Sequence, residues 1–178
     1  MIEPVRRLDC WFVIVIVTVV LLYSFDNKSV EAADIGSKAP PFTLVDLQGN
    51  TVSLSDFQGR MVIIDFWATY CHVCEDTSPI LEKIHRKYKE QGLVLLGISL
   101  DEGKKGIEDV KNFIRKFDLT FTVLMGNRTV AKQYFSIGIP TTFILDKDHV
   151  IVEKYIGDVF YFDEEMFTLI EKHLEVKK

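Results

Sequence analysis

Polar and apolar positions alternate in blocks along this chain, and one block stands apart. After Arg6 and Arg7, residues Cys10 to Tyr23 are apolar except for Thr18, and the run extends with one break to Phe25. That length is near the lower limit for crossing a bilayer. Polar and small residues follow, including Asp26-Asn27-Lys28-Ser29, and they read as a tether. Beyond it, Phe42 to Val45 and Thr51 to Leu54 flank Gly49-Asn50, a hairpin signal, and Ser55 to Gly59 predicts a short turn. Met61 to Trp67 is a run of apolar and β-branched residues broken only by Asp65, as expected of a buried parallel strand. Ile80, Leu81, Ile84 and Tyr88 then recur at helical spacing.

The rest of the chain continues in the same manner. Val94 to Ser99 predicts another buried strand, and Val110, Phe113, Ile114 and Phe117 mark one face of a helix. Phe121 to Met125 predicts a third strand and Arg128 to Tyr134 a short helix. Phe143 to Leu145 and Val150 to Tyr155 form a hairpin turning at Asp146-Lys147-Asp148. Glu164 to Glu175 closes the chain as a helix, with Asp163 as N-cap and Phe162 and Phe167 placed for a hydrophobic staple. No internal repeat or low-complexity tract interrupts this α/β succession.

Composition adds bounds rather than detail. With 178 residues, 48% hydrophobic and 26% charged, the chain holds one globular domain plus an N-terminal segment. The divisions expected are a cytoplasmic N-terminus over 1–9, a transmembrane anchor or signal segment over 10–25, a linker over 26–34 and a domain over 35–178. A net charge of -5 argues against nucleic acid, and residues 33–178 alone carry 18 basic and 22 acidic side chains without a polybasic stretch. Arginines ahead of the apolar run favour a cytoplasmic N-terminus and place the domain outside, where cysteine pairs need a dedicated redox supply. Cleavage is the competing outcome, because Val30-Glu31-Ala32 offers small residues at signal-peptidase spacing. Cys10 precedes the apolar run and reads as an inert membrane-edge thiol rather than a lipoprotein cysteine.

The chemistry is concentrated in Trp67-Ala68-Thr69-Tyr70-Cys71-His72-Val73-Cys74. Two thiols spaced by two residues, directly after an apolar strand and at the start of a helix, can close into a disulfide and reopen by exchange. Unpaired backbone amides and the positive end of the helix dipole stabilise a thiolate there, lowering the pKa from roughly 8.5 toward about 3.5 to 7 in such motifs. Cys71, nearer the N-terminus, is the expected nucleophile. Cys74, one turn further in, is the expected resolving thiol. Asp65, flanked by Ile64 and Phe66, would be desolvated with a raised pKa and suited to take a proton from Cys74. Far along the chain, Gly138-Ile139-Pro140-Thr141-Thr142 precedes an apolar strand, and the proline there suggests a tight turn with a cis bond. Such a bond would leave the Ile139 backbone free to pair with an extended substrate.

The order Asp65-Phe66-Trp67-Ala68, Cys71, Cys74, Pro79 and Ile139-Pro140-Thr141 resembles the thioredoxin superfamily, in its redoxin and AhpC/TSA-like part. Ala39-Pro40-Pro41-Phe42 and Leu54-Ser55-Asp56-Phe57-Gln58-Gly59-Arg60 are similar to the membrane-anchored TlpA/ResA-like branch. The resemblance covers about residues 35 to 160. It implies a thioredoxin fold with an added N-terminal β-hairpin, a central helical insertion near 101 to 121, and thiol-disulfide exchange on the outer face of a bacterial inner membrane. The implied task is reduction of disulfides in secreted proteins such as apocytochrome c during cytochrome c maturation, with electrons from a membrane thiol reductant. No cofactor is implied. Signal cleavage would instead yield a secreted protein.

This sequence departs from that branch in two places. Members commonly carry proline before the second cysteine and a glutamate three residues after it, whereas Val73 and Thr77 stand here. Thr77 cannot act as an acid, which leaves Glu75, Asp76 or Asp65 to carry protons. His72 beside Cys71 could stabilise a thiolate when protonated. Trp67 and Tyr70 either cover the edge of the core or, with His72, Ile139 and Pro140, shape a substrate groove.

Rival readings are weaker. A structural zinc site needs four ligands, and no second pair accompanies Cys71 and Cys74, so no metal is expected. Haem attachment requires histidine where Glu75 stands. Asp65 as a merely structural buried acid, and Pro140 as a trans turn proline, stay open. A peroxiredoxin-like thiol peroxidase is the second enzymatic reading, but Cys71 lacks the Pro-x-x-x-Thr-x-x-Cys context of that group. A Sco-like copper-delivery protein is the non-enzymatic one, although that group spaces its cysteines by three residues and adds a distant histidine, for which His149 is the one candidate. His85 and His149 otherwise read as surface histidines, and Asp101-Glu102-Gly103-Lys104-Lys105 as a solvated loop.

Overall fold

The apolar run that precedes the cysteines is the middle of a mixed sheet. A computed structural model describes residues 33–134, 138–157 and 163–174, all within the compact unit Ala32–Lys178. Its elements are β1 (Thr43–Asp46), β2 (Thr51–Ser53), β3 (Val62–Trp67), α1 (His72–Tyr88), β4 (Val94–Ser99), α2 (Gly103–Phe117), β5 (Thr122–Met125), α3 (Arg128–Gln133), β6 (Thr141–Leu145), β7 (Ile151–Ile156) and α4 (Asp163–Leu174). The strands join in the order β2-β1-β5-β4-β3-β6-β7. All six residues of β3 are buried, because β4 pairs with it in parallel on one edge, β6 antiparallel on the other, and both faces are covered. That double covering explains a strand that is apolar almost throughout.

Alternation along β3 sorts its side chains onto two cores. Met61, Ile63 and Trp67 pack with Cys71, Cys74, Leu81, Ile84 and Tyr88. Val62, Ile64 and Phe66 pack on the opposite face with Leu44, Tyr134 and Phe143. Since successive side chains point to opposite faces, Asp65 falls on the face of Ile63 and Trp67, the side that carries the cysteine helix. Phe113 of α2 closes that side with its ring centroid 4.5 Å from Trp67. Gly97 of β4, opposite Asp65 in register, leaves room there, for a Cβ would lie 2.8 Å from Phe121 and 3.0 Å from Trp67 Nε1.

Helix α1 is anchored at both ends. Its last turn carries His85, Arg86 and Lys87, which suit the negative end of the helix dipole, and a 3-10 turn over Lys89–Gln91 leads to Gly92 at φ 98°, a left-handed position that glycine adopts without strain. Midway, the Glu82 carboxylate accepts hydrogen bonds from Thr120 N at 2.7 Å and Thr120 Oγ1 at 2.6 Å, tying α1 to the approach of β5.

The hairpin and the insertion are present, with details the sequence did not carry. In β1-β2 the turn is organised by Asp46, whose carboxylate accepts from Gln48 N, Asn50 N and Asn50 Nδ2, and β1 joins the sheet by antiparallel pairing with β5. The expected turn after β2 is a 3-10 helix over Leu54–Phe57 with a Ser53/Asp56 capping box. Helix α4 begins at Asp163 itself; Phe162 lies outside the described residues, so the staple does too, and Phe167 instead faces Tyr88 with centroids 6.0 Å apart. Two expectations of solvation are corrected. His149 is only 6% exposed, its Nε2 lies 3.1 Å from the Phe57 carbonyl oxygen, and it sits at φ 57° in the turn before β7. His85 is half-buried with its ring edge-on to Phe121, and burial lowers its pKa.

Candidate active site

Cys71 is the N-cap of α1. At φ -95° and ψ 107° its backbone is still extended, and its Sγ accepts the Cys74 backbone N–H at 3.2 Å. An N-cap position usually holds a side-chain oxygen that satisfies one of the orphan amides of the first turn. Here sulfur holds it. In the reduced protein a Cys71 thiolate would receive that same N–H as a charge-assisted bond at the positive end of the helix dipole. The two sulfurs form a disulfide, with the Cα atoms 5.3 Å apart. Cys71 is 9% exposed and Cys74 1%, so a partner reaches the first sulfur before the second.

The antiparallel register of β6 with β3 brings the start of β6 to the end of β3, where the cysteines follow. The Ile139-Pro140 peptide bond is cis, and the Ile139 carbonyl oxygen lies 3.5 Å from Cys71 Sγ across 68 residues of sequence. Pro140 is buried, and its carbonyl accepts from Gly157 N at 2.8 Å. Thr141 Oγ1 donates to the Gly138 carbonyl at 2.6 Å, fixing the same turn.

Asp65 is 2% exposed, and Thr142 Oγ1, opposite it in register, donates to its Oδ1 at 2.8 Å. Burial penalises the charged carboxylate more than this one hydrogen bond favours it, and the pKa rises to about 7. Such a group exchanges protons near neutral pH.

The other candidates divide. Trp67 is 1% exposed and lies in the core, so its ring supports the site from below instead of walling a groove. Tyr70 is 73% exposed, His72 is exposed and Val73 is 38% exposed, and these three rim the sulfurs. Tyr70 also borders a groove of about 470 Å³ with Leu100, Glu102, Asn127, Arg128 and Ala131. Thr77 is fully buried, and its hydroxyl has no hydrogen-bond partner among the described residues. Glu75 is engaged by Lys116 Nζ of α2 at 2.9 Å, whereas Asp76 is exposed. Of the three acids considered, only Asp65 is buried.

One residue was missed by sequence reasoning. Asp101, read as the start of a solvated run, is 6% exposed and binds Thr69 in the loop just before Cys71. Its position directly after a buried parallel strand, at the carboxyl edge where sites gather in α/β sheets, was the available signal. Glu102, Lys104 and Lys105 are exposed, as expected. Among the described residues no group of three or more His, Cys, Asp or Glu side chains could hold a metal.

A disulfide that caps a helix beyond the central strand, faced by a backbone carbonyl before a cis proline, defines a thioredoxin-fold thiol-disulfide oxidoreductase. The chain belongs to the AhpC/TSA family, whose model matches residues 35–154. It is 38% identical over 129 residues to a thiol-disulfide oxidoreductase ResA of Bacillus cereus, an alignment that covers 72% of this chain and 73% of that one. It is 31% identical over 156 residues to the thioredoxin-like protein YneN of Bacillus subtilis (strain 168), covering 88% and 85%. Among solved structures, the thioredoxin domain of a thiol-disulfide oxidoreductase from Bacteroides vulgatus superposes with a TM-score of 0.69 at 30% identity, over 79% of this chain and 98% of that one. As such an enzyme, the chain has disulfide-bearing substrates and a reductant partner. No helix among the described residues is long and apolar enough to cross a membrane, and the expected anchor at 10–25 lies outside them.

Proposed function

We propose that this protein is a reductase for disulfides of secreted proteins, working through Cys71 and Cys74 and held at a bacterial inner membrane by residues 10–25, with its domain facing outward. The observation that carries the proposal is the Cys71 sulfur at the N-cap, accepting the Cys74 amide at 3.2 Å. In the proposed cycle the Cys71 thiolate attacks one sulfur of the substrate disulfide, forming a mixed disulfide while the other substrate sulfur leaves as a thiolate. Asp65, as carboxylate, takes the proton of Cys74. The Cys74 thiolate then attacks Cys71, closing the intramolecular disulfide and expelling the second substrate sulfur, so that two electrons pass to the substrate.

Tyr70, His72 and the Ile139 backbone form the contact surface for an extended polypeptide, with Pro140 shaping the turn. Resemblance to the ResA-like branch supports apocytochrome c as substrate, cytochrome c maturation as pathway and a membrane thiol reductant as electron donor. The direction of transfer follows the reduction potential, where about 30 mV is a tenfold change in the two-electron equilibrium. Redox titration against glutathione tests it: a dithiol more reducing than glutathione is expected, and a potential near that of strong oxidants would remove the reductase reading.

A further inference from the structure

The carboxylate of Asp101 is almost fully enclosed and engages three donors. Oδ2 accepts Thr69 N at 2.9 Å and Ser99 Oγ at 2.8 Å, and Oδ1 accepts Thr69 Oγ1 at 2.6 Å. Its own backbone N–H donates to Ser99 Oγ at 3.1 Å. Gly106 of α2 presses on it, since a Cβ at that glycine would lie 3.1 Å from the Asp101 carbonyl carbon and from its Cβ. Ser99, the last residue of β4, and Gly106, in the first turn of α2, therefore hold Asp101 in place, and Asp101 in turn grips Thr69, which stands two residues before Cys71. Next to Thr69, Leu100 N donates to Trp67 O at 2.8 Å and Cys71 N to Ala68 O at 3.1 Å, so the short loop between β3 and α1 is pinned along its length.

We infer that Asp101 is a positioning residue for the exchange reaction: through Thr69 it holds the Cys71 sulfur at the helix N-cap. This rests on the proposed role of Cys71 as nucleophile. A hydrogen bond from the Cys74 amide depends steeply on distance and angle, so loosening the loop weakens thiolate stabilisation without removing any thiol. A buried carboxylate as pure charge would do the reverse. Its negative charge disfavours a nearby thiolate, and removing it would make Cys71 more acidic. The two roles thus predict opposite signs.

Asp101→Asn keeps the size, removes the charge and puts an amide N–H₂ where one acceptor stood; Thr69→Val removes the Oγ1 donor and leaves the charge in place. The other titratable groups around the pair, His72, Glu75 with its partner Lys116, and Asp65, are the same in both variants. The experiment is the pH dependence of Cys71 alkylation in the reduced full-length protein, with thermal unfolding as a control for folding. Both variants are expected to raise the Cys71 midpoint by about half a unit or more and so to slow alkylation by roughly threefold or more at pH values well below the wild-type midpoint. A lower midpoint in Asp101→Asn, or an unchanged midpoint in a folded Thr69→Val, overturns the positioning role. If wild-type Cys71 itself titrates like free cysteine, the functional reading fails instead, and the two failures stay distinct.

Discussion

Thr142 donates its hydroxyl to Asp65 across the β3-β6 pairing at 2.8 Å, and no other hydrogen bond reaches that carboxyl group among the described residues. A single neutral donor in a dry site leaves the carboxylate poorly stabilised, which is why its pKa stands at about 7. Near neutral pH it is therefore a usable base.

Asp65→Asn removes that base while keeping the Thr142 contact within reach of the side-chain oxygen. Release of the mixed disulfide at pH 7 is expected to slow by about a hundredfold, the lower end of what a positioned general base contributes. Stopped-flow resolution of a Cys71 mixed disulfide measures it, and unchanged kinetics would reduce Asp65 to a core residue.

The same substitution has a stability signature. The folded pKa of Asp65 lies above its ordinary value of 3.8, so the favourable contribution is full below about pH 4 and is lost as pH rises through about 7. Ionising the buried carboxyl costs up to about 4 kcal/mol above that range, by the free energy of a pKa shift of this size. Asp65→Asn is expected to be more stable than wild type above pH 7 and to lose this advantage toward pH 4. Denaturant midpoints at pH 4, 6 and 8 check the sign, and equal gaps at all three would contradict it.

Cys74→Ser removes the thiol proposed to resolve the mixed disulfide formed by Cys71. A mixed disulfide between Cys71 and substrate is expected to accumulate and to be visible on a non-reducing gel, with Cys71→Ser trapping little because Cys74 is only 1% exposed. An adduct found on Cys74 alone reverses the two roles.

Packing beneath the site is tight at Gly97. In Gly97→Ala the new methyl meets Phe121 at 2.8 Å and Trp67 Nε1 at 3.0 Å, and both rings are themselves buried in the core. Overpacking of this kind costs about 1–3 kcal/mol, read as a drop in unfolding free energy. Wild-type stability in Gly97→Ala would mean that the Trp67 layer is softer than described.

Much of the frame was legible because its signals are local. Met61 to Trp67 is apolar because the strand is buried on both faces, and the spacing Ile80, Leu81, Ile84, Tyr88 follows from one helix face meeting one core. Gly49 and Asn50 marked a hairpin, although the carboxylate that builds its turn belongs to Asp46. Within the site, Cys71, Cys74, Asp65 and the Ile139-Pro140 turn were visible from residue type and order. What stayed hidden depends on contacts between distant segments. Asp101 looks like any charge at a helix start until Thr69, 32 residues earlier, folds onto it. His149 reads as a polar turn residue until the Phe57 carbonyl covers it from 92 residues away. Trp67 was ambiguous between groove and core, and the ring of Phe113 in the insertion decides for the core.

The pH dependence of alkylation of the reduced protein, read by mass spectrometry at each cysteine, bears most directly on a helix-capping thiolate. Cys71 is expected to react first, with a midpoint at least about one unit below the roughly 8.5 of free cysteine. A midpoint at the free value, or preferential labelling of Cys74, contradicts it.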